Sequence, residues 1–375
     1  MKGPESMAPP TDTNSLVADW LLDMAAAQES DQRRWGYKRA AAAIRNLEVP
    51  IESLREGDAL QKIPHVGPAS TRIVLEILDT GRSAIVEQAV AGSGRGAEVE
   101  RRQQLRSHFL SRAQVVAALR NPRLRGPAPS EYRGDLQMHS EWSDGVESVA
   151  ALAEGCRARG YEYCAVTDHS HGLPIAGGVS MADVARQHRA IDRVNVAQAG
   201  RFRILKGIEA NILADGTLDL SLDERAQFEV VVAAPHSKLR RAEDQTPRML
   251  AAVRQPGVHI LGHPRGRMGG SRPGITARWP EVFAEAASRD VAVEIDGDPS
   301  RQDLDFSLAA RALDAGCLFA LDSDAHTTSQ LAYADTAIAH ARLAGIPPDR
   351  IINCWPTERL LTWLSDRRSP GTCVN

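Results

Sequence analysis

The stretch Gly134-Asp135-Leu136-Gln137-Met138-His139-Ser140-Glu141-Trp142-Ser143-Asp144-Gly145 reads as a short strand that runs into a polar loop. Apolar Leu136 and Met138 alternate with polar neighbours, and Ser143-Asp144-Gly145 is turn chemistry. His139 and Asp144 therefore fall just past the C-terminal end of a strand. The same event recurs down the chain. Strands are expected near Leu136–Met138, Tyr163–Thr167, Arg203–Ile208, Val230–Ala234, Val258–Gly262, Val291–Ile295 and Cys317–Leu321. They end, in turn, at His139; Asp168 and His169; Glu209; His236; His263; Glu294 and Asp296; and Asp322, Asp324 and His326. Strands alternating with helices build a parallel sheet or barrel. In a barrel the residues just past the strand ends converge on one face, so ligands far apart in sequence would meet.

At 375 residues the chain has room for one large domain and a small one. None of the five cysteines forms a C-x-x-C pair, which argues against a disulfide framework or a zinc ribbon. No apolar run reaches membrane-spanning length, and no signal-peptide pattern opens the chain, so the cytoplasm is the expected compartment. The net charge of −3 hides an asymmetry. Residues 31–130 hold 17 Lys and Arg against 10 Asp and Glu, a difference of +7, while residues 131–375 hold 27 against 33, a difference of −6. A basic small domain on an acidic large one points to an anionic partner, nucleic acid among others; a solvated helical surface gives the same count.

Residues 1–14 read as a disordered tail rich in Pro, Thr and Ser. Leu16, Trp20, Met24 and Ala27 then fall at helical spacing, and Trp35–Asn46 forms a second helical stretch. Leu60-Gln61-Lys62-Ile63-Pro64-His65-Val66-Gly67-Pro68-Ala69-Ser70-Thr71-Arg72-Ile73 is a tight apolar turn opening a helix, a geometry that offers backbone N–H groups to an anion. It resembles a helix-hairpin-helix, and residues 15–90 are similar to the small N-terminal domain of X-family DNA polymerases. The resemblance implies a DNA-binding role for Ile63, Val66, Gly67 and Arg72. One departure is that His65 stands where the first hairpin glycine usually is. After Lys62 there is no lysine until Lys206, so Schiff-base lyase chemistry is not expected.

Ala91-Gly92-Ser93-Gly94-Arg95-Gly96 reads as a flexible linker, Glu98–Leu119 as one charged helix, and residues 121–130 with Pro122, Pro127 and Pro129 as a second boundary; 91–130 is thus a linker with a helix. No nucleotidyltransferase palm fits in this space, and no polymerase activity is expected.

From Tyr132 the chain resembles the PHP (polymerase and histidinol phosphatase) domain, and most of all the one at the C-terminus of bacterial X-family polymerases. The matching segments are Asp135 to Ser140, Ser143-Asp144-Gly145, Thr167-Asp168-His169-Ser170, Gly207-Ile208-Glu209-Ala210-Asn211, Pro235-His236-Ser237, Gly262-His263-Pro264 and Asp322-Ser323-Asp324-Ala325-His326. The resemblance implies an α/β fold, a distorted (β/α)7 TIM-like barrel over residues 131–368, preceded by a small all-α helix-hairpin-helix domain. It also implies two or three divalent metal ions. Gln137, His139, Glu209 and Asp324 would surround the first; Glu209 would bridge to a second held by His236 and His263; Asp144, His169 and His326 would hold a third. Gln137 stands where many members have histidine, and an amide oxygen is a poorer ligand than imidazole.

Mixed imidazole and carboxylate ligands suit Zn²⁺, Mn²⁺ or Fe²⁺. Clustered divalent ions promote hydrolysis of a phosphate ester with no protein nucleophile. Lys238, Arg265 and Arg267 follow ligand-bearing strand ends and are candidate phosphate holders, or surface loop charges. His171 is a candidate substrate contact or supporting donor, and Glu294, Asp296 and Asp168 are candidates for orienting the ligands. The expected function is metal-dependent phosphoester hydrolysis on DNA, single-stranded or at 3′ ends, as an exonuclease or phosphatase in repair. The alternatives are a small-molecule phosphatase of the histidinol-phosphatase type and a non-catalytic DNA-binding or docking protein.

Overall fold

A computed structural model describes residues 12–368 of the chain. Two compact units divide at Asn121 and Pro122.

The first unit is helical: α1 (Thr13–Ala27), α2 (Asp31–Arg45), α3 (Pro68–Thr80), α4 (Ala84–Ser93), α5 (Gly96–Gln104) and α6 (Arg112–Arg120). Its core is the apolar faces of the first three helices and the turns between them, with Val17, Leu21, Ile44, Ile51, Ile73 and Ile77 fully buried. Three sequence expectations are corrected here. Of the expected tail, residues 1–11 lie outside the described residues, but Thr13 and Asn14 are helical. Asp12 caps α1 by accepting from Ser15 N and also binds Ser111 N at 2.7 Å, while Asn14 ties down Ile51 N at 2.8 Å. The expected linker at 91–96 is also ordered. Gly94 at φ +68° ends α4 in the left-handed conformation that glycine tolerates, and Arg95 donates to Ala26 O at 2.9 Å. The glycines there are helix punctuation, and composition alone does not separate the two. The single helix expected over Glu98–Leu119 is two, because Ser111 caps a fresh start at α6.

The second unit carries seven parallel strands that pair in sequence order: β1 (Gly134–Asp135), β2 (Tyr163–Val166), β3 (Arg203–Asn211), β4 (Val230–Ala234), β5 (Ile260–Leu261), β6 (Ala292–Asp296) and β7 (Leu318–Asp322). The intervening helices are α7 (Val149–Ala158), α8 (Met181–Gln198), α9 (Leu222–Arg225), α10 (Thr246–Val253), α11 (Trp279–Ser288), α12 (Phe306–Asp314) and α13 (Ala334–Leu343), with α14 (Thr357–Arg368) last. The sheet nearly closes into a TIM-like barrel. Met138 bridges Ala325 in parallel, His139 N donates to Ala325 O at 2.8 Å, and Leu136 N donates to Asp322 Oδ1 at 2.8 Å. The strand expected at Leu136–Met138 is therefore shifted: the regular ladder is Gly134–Asp135, and the next residues serve the seam to β7. Strand β5 is likewise shorter than Val258–Gly262.

The barrel interior is packed with Leu136, Ala165, Leu205, Val232, Ile260 and Ala320. Trp355, Leu360 and Leu364 join the same cluster from the C-terminal segment. Strands buried on both faces require continuous apolar runs, which is why β4 reads Val-Val-Val-Ala-Ala.

Candidate metal centre

Every element of the candidate centre comes from a C-terminal strand end of the barrel. His139 lies four residues past β1, His169 three past β2, His236 two past β4, His263 two past β5, and Asp324 and His326 two and four past β7. Glu209 is inside β3, whose nine residues carry it further than its neighbours.

Glu209 is fully buried and stands at the middle. Its Oε2 lies 2.7 Å from His169 Nδ1 and 3.6 Å from His139 Nε2, and its Oε1 lies 2.9 Å from His263 Nε2 and 3.3 Å from His236 Nε2. Asp144 stands 3.5 Å from His169 Nε2, 3.4 Å from His326 Nε2 and 3.9 Å from His139 Nδ1. Asp324 Oδ1 is 3.0 Å from His139 Nε2. Two groups have ligand atoms all within 4.8 Å of one another: His139, Asp144, His169 and His326, and His169, Glu209 and His236. Gln137 is fully buried beside them in sequence, and neither its oxygen nor its nitrogen has a hydrogen-bond partner.

That pattern tests whether the residues fit metal ions. His139 Nδ1, His169 Nδ1, Glu209 Oε2, His236 Nε2 and both Gln137 side-chain atoms are buried without a hydrogen bond. Several of these atoms lie within contact distance of an oppositely charged group but off hydrogen-bond geometry. Buried polar atoms without partners are costly. Divalent cations bound by the imidazole nitrogens and carboxylate oxygens would satisfy them, so the donor set fits.

The electrostatics agree. Burial opposes charge on Glu209, yet His169 and His236 hold its carboxyl well below the usual range. Asp144 is also held well below, because His169, His326 and His139 outweigh its partial burial. Burial would lower His169 and His326, but the carboxylates around them raise them to about 10 and about 9. In the absence of metal, His169 and His326 carry the compensating positive charge, while burial lowers His236. Beneath this layer, burial pushes Asp135 and Glu294 well up, and Asp322 to about 6.

Supporting contacts hold the ligands. Asp168 is buried and accepts from Ser140 N at 2.7 Å, Ser140 Oγ at 2.5 Å, Ser143 Oγ at 2.6 Å and Gln187 Nε2 at 2.6 Å, which fixes the loop between His139 and Asp144. Gly145 closes that loop: a Cβ there would meet His139 O at 2.3 Å. Glu294 accepts from His263 N. His236 Nδ1 is 2.6 Å from Asn211 Oδ1, and Asn211 Nδ2 donates to Asp219 Oδ2 at 2.7 Å, which leaves His236 Nε2 for Glu209 or a metal. His263 and Asp324 have φ of +22° and +52°, left-handed values that non-glycine residues seldom adopt and that concentrate at functional sites.

The sequence candidates outside the cluster fall differently. Arg265 is committed to Asp305 at 2.9 Å, and Arg267 is buried with Asp305 at 3.3 Å and donates to the carbonyls of Arg301 and Gln302, so both brace the loop after β6. Lys238 and His171 are exposed. Three contributors were missed: Asn211, which holds His236; Asp219, which acts through Asn211; and Arg301, whose Nη1 is 2.9 Å from Asp324 Oδ2. Asn211 was legible as the second residue after Glu209 on the same strand face. Arg301 sits in a loop with no pattern to mark it.

In the helical unit, Ile63 and Val66 are core residues, so only their backbone is available to a partner. Arg72 is exposed. His65 takes the left-handed conformation at φ +65°, and Gly67 precedes α3 without a side-chain cap. Gly67, Ala69 and Ser70 line a cavity of about 500 Å³ with Arg33, Tyr37 and His65.

Comparison with known proteins gives four findings. A family described as helix-hairpin-helix domain matches residues 12–83. The DNA polymerase/3′-5′ exonuclease PolX of Bacillus subtilis is 35% identical over 224 residues, 60% of this chain but 39% of that protein. The protein described as probable phosphatase YcdX of Escherichia coli is 29% identical over 249 residues, covering 63% of this chain and 95% of that protein. Among solved structures, a histidinol phosphate phosphatase of Lactococcus lactis, complexed with zinc, L-histidinol and phosphate, aligns with a TM-score of 0.42 and 16% identity over 56% of this chain and 94% of that one.

Proposed function

We propose that this chain, a PHP-domain protein with an N-terminal helix-hairpin-helix domain, is a metal-dependent phosphoesterase that acts on DNA 3′ ends, as a 3′–5′ exonuclease or a 3′-phosphatase. The observation that carries the reading is Glu209, whose two oxygens each lie against two imidazoles. A carboxylate so placed can be shared between two cations. Two or three ions of the Zn²⁺, Mn²⁺ or Fe²⁺ type, held by Gln137, His139, Asp144, His169, Glu209, His236, His263, Asp324 and His326, would supply Lewis acidity and charge neutralisation for attack of water on phosphorus. The chain's own residues do the rest. Asn211 holds the His236 tautomer, Asp168 holds the loop that carries His139 and Asp144, and Arg301 brings a permanent positive charge beside Asp324 for the phosphate.

The DNA part of the reading is supported by the match of residues 12–83 and by the likeness to PolX. The cavity at the start of α3 adds to it, because a helix N-terminus beside Arg33 and His65 suits a phosphate. The YcdX likeness covers nearly all of that protein and favours the second reading, hydrolysis of a small phosphomonoester.

The test is Mn²⁺-dependent hydrolysis, side by side, of 3′-phosphorylated DNA, 3′-hydroxyl single-stranded DNA and histidinol phosphate, with His236→Ala as control. Turnover of either DNA that the control loses is the expected result and identifies the preferred end. Turnover of histidinol phosphate alone refutes the DNA reading.

A further inference from the structure

The mouth of the barrel has two unlike sides. Five large apolar side chains of the barrel unit are exposed among the described residues: Val146, Ile175, Val196, Leu213 and Leu222. All but Val196 lie in the connections that follow β1, β2 or β3. Ile175 is 94% exposed and Val146 72%. Trp142 lies in the same region, half-buried between His139 and Asp144 in sequence, with the Arg186 guanidinium 5.8 Å over its ring. The Ile175 turn adjoins it, since a Cβ on Gly177 would stand 3.4 Å from Ser143 O.

The connections after β4 and β5 carry a basic excess instead, and Arg301 joins them from the connection after β6. Arg240 is exposed and donates to Ser271 O at 2.6 Å; Arg272 donates to Gly266 O at 2.7 Å; Arg301 reaches Asp324. Neither Arg240 nor Arg272 has an ion-pair partner among the described residues. Arg240 reaches the carbonyl beside Arg272, and Gly269 N donates to Ser300 O at 2.8 Å, which brings the Arg272 turn beside Arg301. Arginines without a carboxylate partner, as Arg240 and Arg272 are, recognise phosphate. Glu209, on β3, and His236, two residues past β4, stand where the two sides meet.

We propose that this mouth holds the unpaired end of a DNA strand across its two sides, with the terminal base against Trp142 and Ile175 and the adjoining phosphates on Arg240 and Arg272. The proposal rests on the DNA-end reading above and specifies it. Single-strand sites pair a basic groove with aromatic stacking surfaces, which tolerate any base. A paired terminal base is held by its complement and must be freed before it can turn onto Trp142 and Ile175, so the site favours an unpaired end.

The experiment uses two single-stranded oligonucleotides that differ only in whether the 3′-terminal nucleotide carries a base. kcat/KM is measured for both with Mn²⁺. Stacking of one base is expected to give the wild type a preference of about tenfold for the base-bearing end. Trp142→Ala and Ile175→Ser should each bring that ratio towards one; the exposed position of Ile175 makes its variant safe for folding. Arg240→Ala with Arg272→Ala should leave the ratio alone and flatten the log KM against log salt slope by about 1.4, the value for two phosphate contacts on a single strand. A wild-type ratio of one, or a ratio that neither apolar variant changes, overturns the proposal while leaving DNA hydrolysis in place. Hydrolysis of histidinol phosphate with no turnover of either oligonucleotide overturns the DNA-end reading as well.

Discussion

Asp168→Asn tests how the ligand loop is held. The carboxylate accepts four hydrogen bonds within 2.7 Å, from Ser140 N, Ser140 Oγ, Ser143 Oγ and Gln187 Nε2. Hydrogen bonds to a charged acceptor contribute about 1 kcal/mol more than neutral ones. The amide keeps one acceptor oxygen, and Ser140 Oγ can turn to accept from the new NH₂. Gln187 can turn as well, since its Oε1 has no partner, but its NH₂ is then buried without one. Four bonds weakened by about 1 kcal/mol each give roughly 4 kcal/mol, a large share of the 5–15 kcal/mol typical of a domain. Urea denaturation of the metal-free protein should show that loss, as a lower midpoint at an unchanged slope. Elemental analysis after dialysis against Mn²⁺ should show fewer ions bound, because Asp144 is no longer held against His169 and His326. A midpoint and metal content both equal to wild type would refute the argument that Asp168 fixes this loop.

Three further outcomes are expected. Gln137→His replaces a buried amide whose two polar atoms are unpartnered with a better ligand, and should tighten one metal about tenfold in competition with a chelator, as imidazole for amide implies; unchanged metal content and unchanged Mn²⁺ dependence would contradict it. Asp219→Ala should weaken metal binding by a factor of about 10–100 in the same assay while the fold, read by circular dichroism, persists, since Asp219 acts through Asn211 on the His236 tautomer. The pH dependence follows from His169 and His326, raised to about 10 and about 9. Their unfolded value is about 6.5, so the stabilisation of the metal-free protein is complete below about pH 6.5 and is lost as pH rises through 9 and 10. Metal binding must displace those protons and should tighten as pH rises; thermal denaturation with and without Mn²⁺ across pH 6–10 measures both signs.

The barrel was legible because β2, β4, β6 and β7 are largely buried on both faces and read as mostly apolar runs with polar residues at or just past their ends. Val230–Ala234 appears in the structure with the bounds read from sequence. Gly134–Asp135 was displaced by two residues because the seam to β7 is made by loop hydrogen bonds, which no periodicity encodes. All nine candidate ligands lie past or within strand ends of one face, as a barrel requires. The supporting shell was less legible. Asp219 and Arg301 come from irregular loops, and Arg265 and Arg267, equally basic in sequence, turn inward to Asp305. In the helical unit, glycines at 92, 94 and 96 suggested a linker, because a helix cap and a flexible joint draw on the same residue type.

The most direct measurement is anomalous diffraction at the manganese edge from crystals of the full chain soaked in Mn²⁺. The account predicts at least two peaks, one on each side of the Glu209 carboxylate, one near His139 and His169 and one near His236 and His263. No peak within ligand distance of Glu209, in crystals shown to contain manganese, would contradict it.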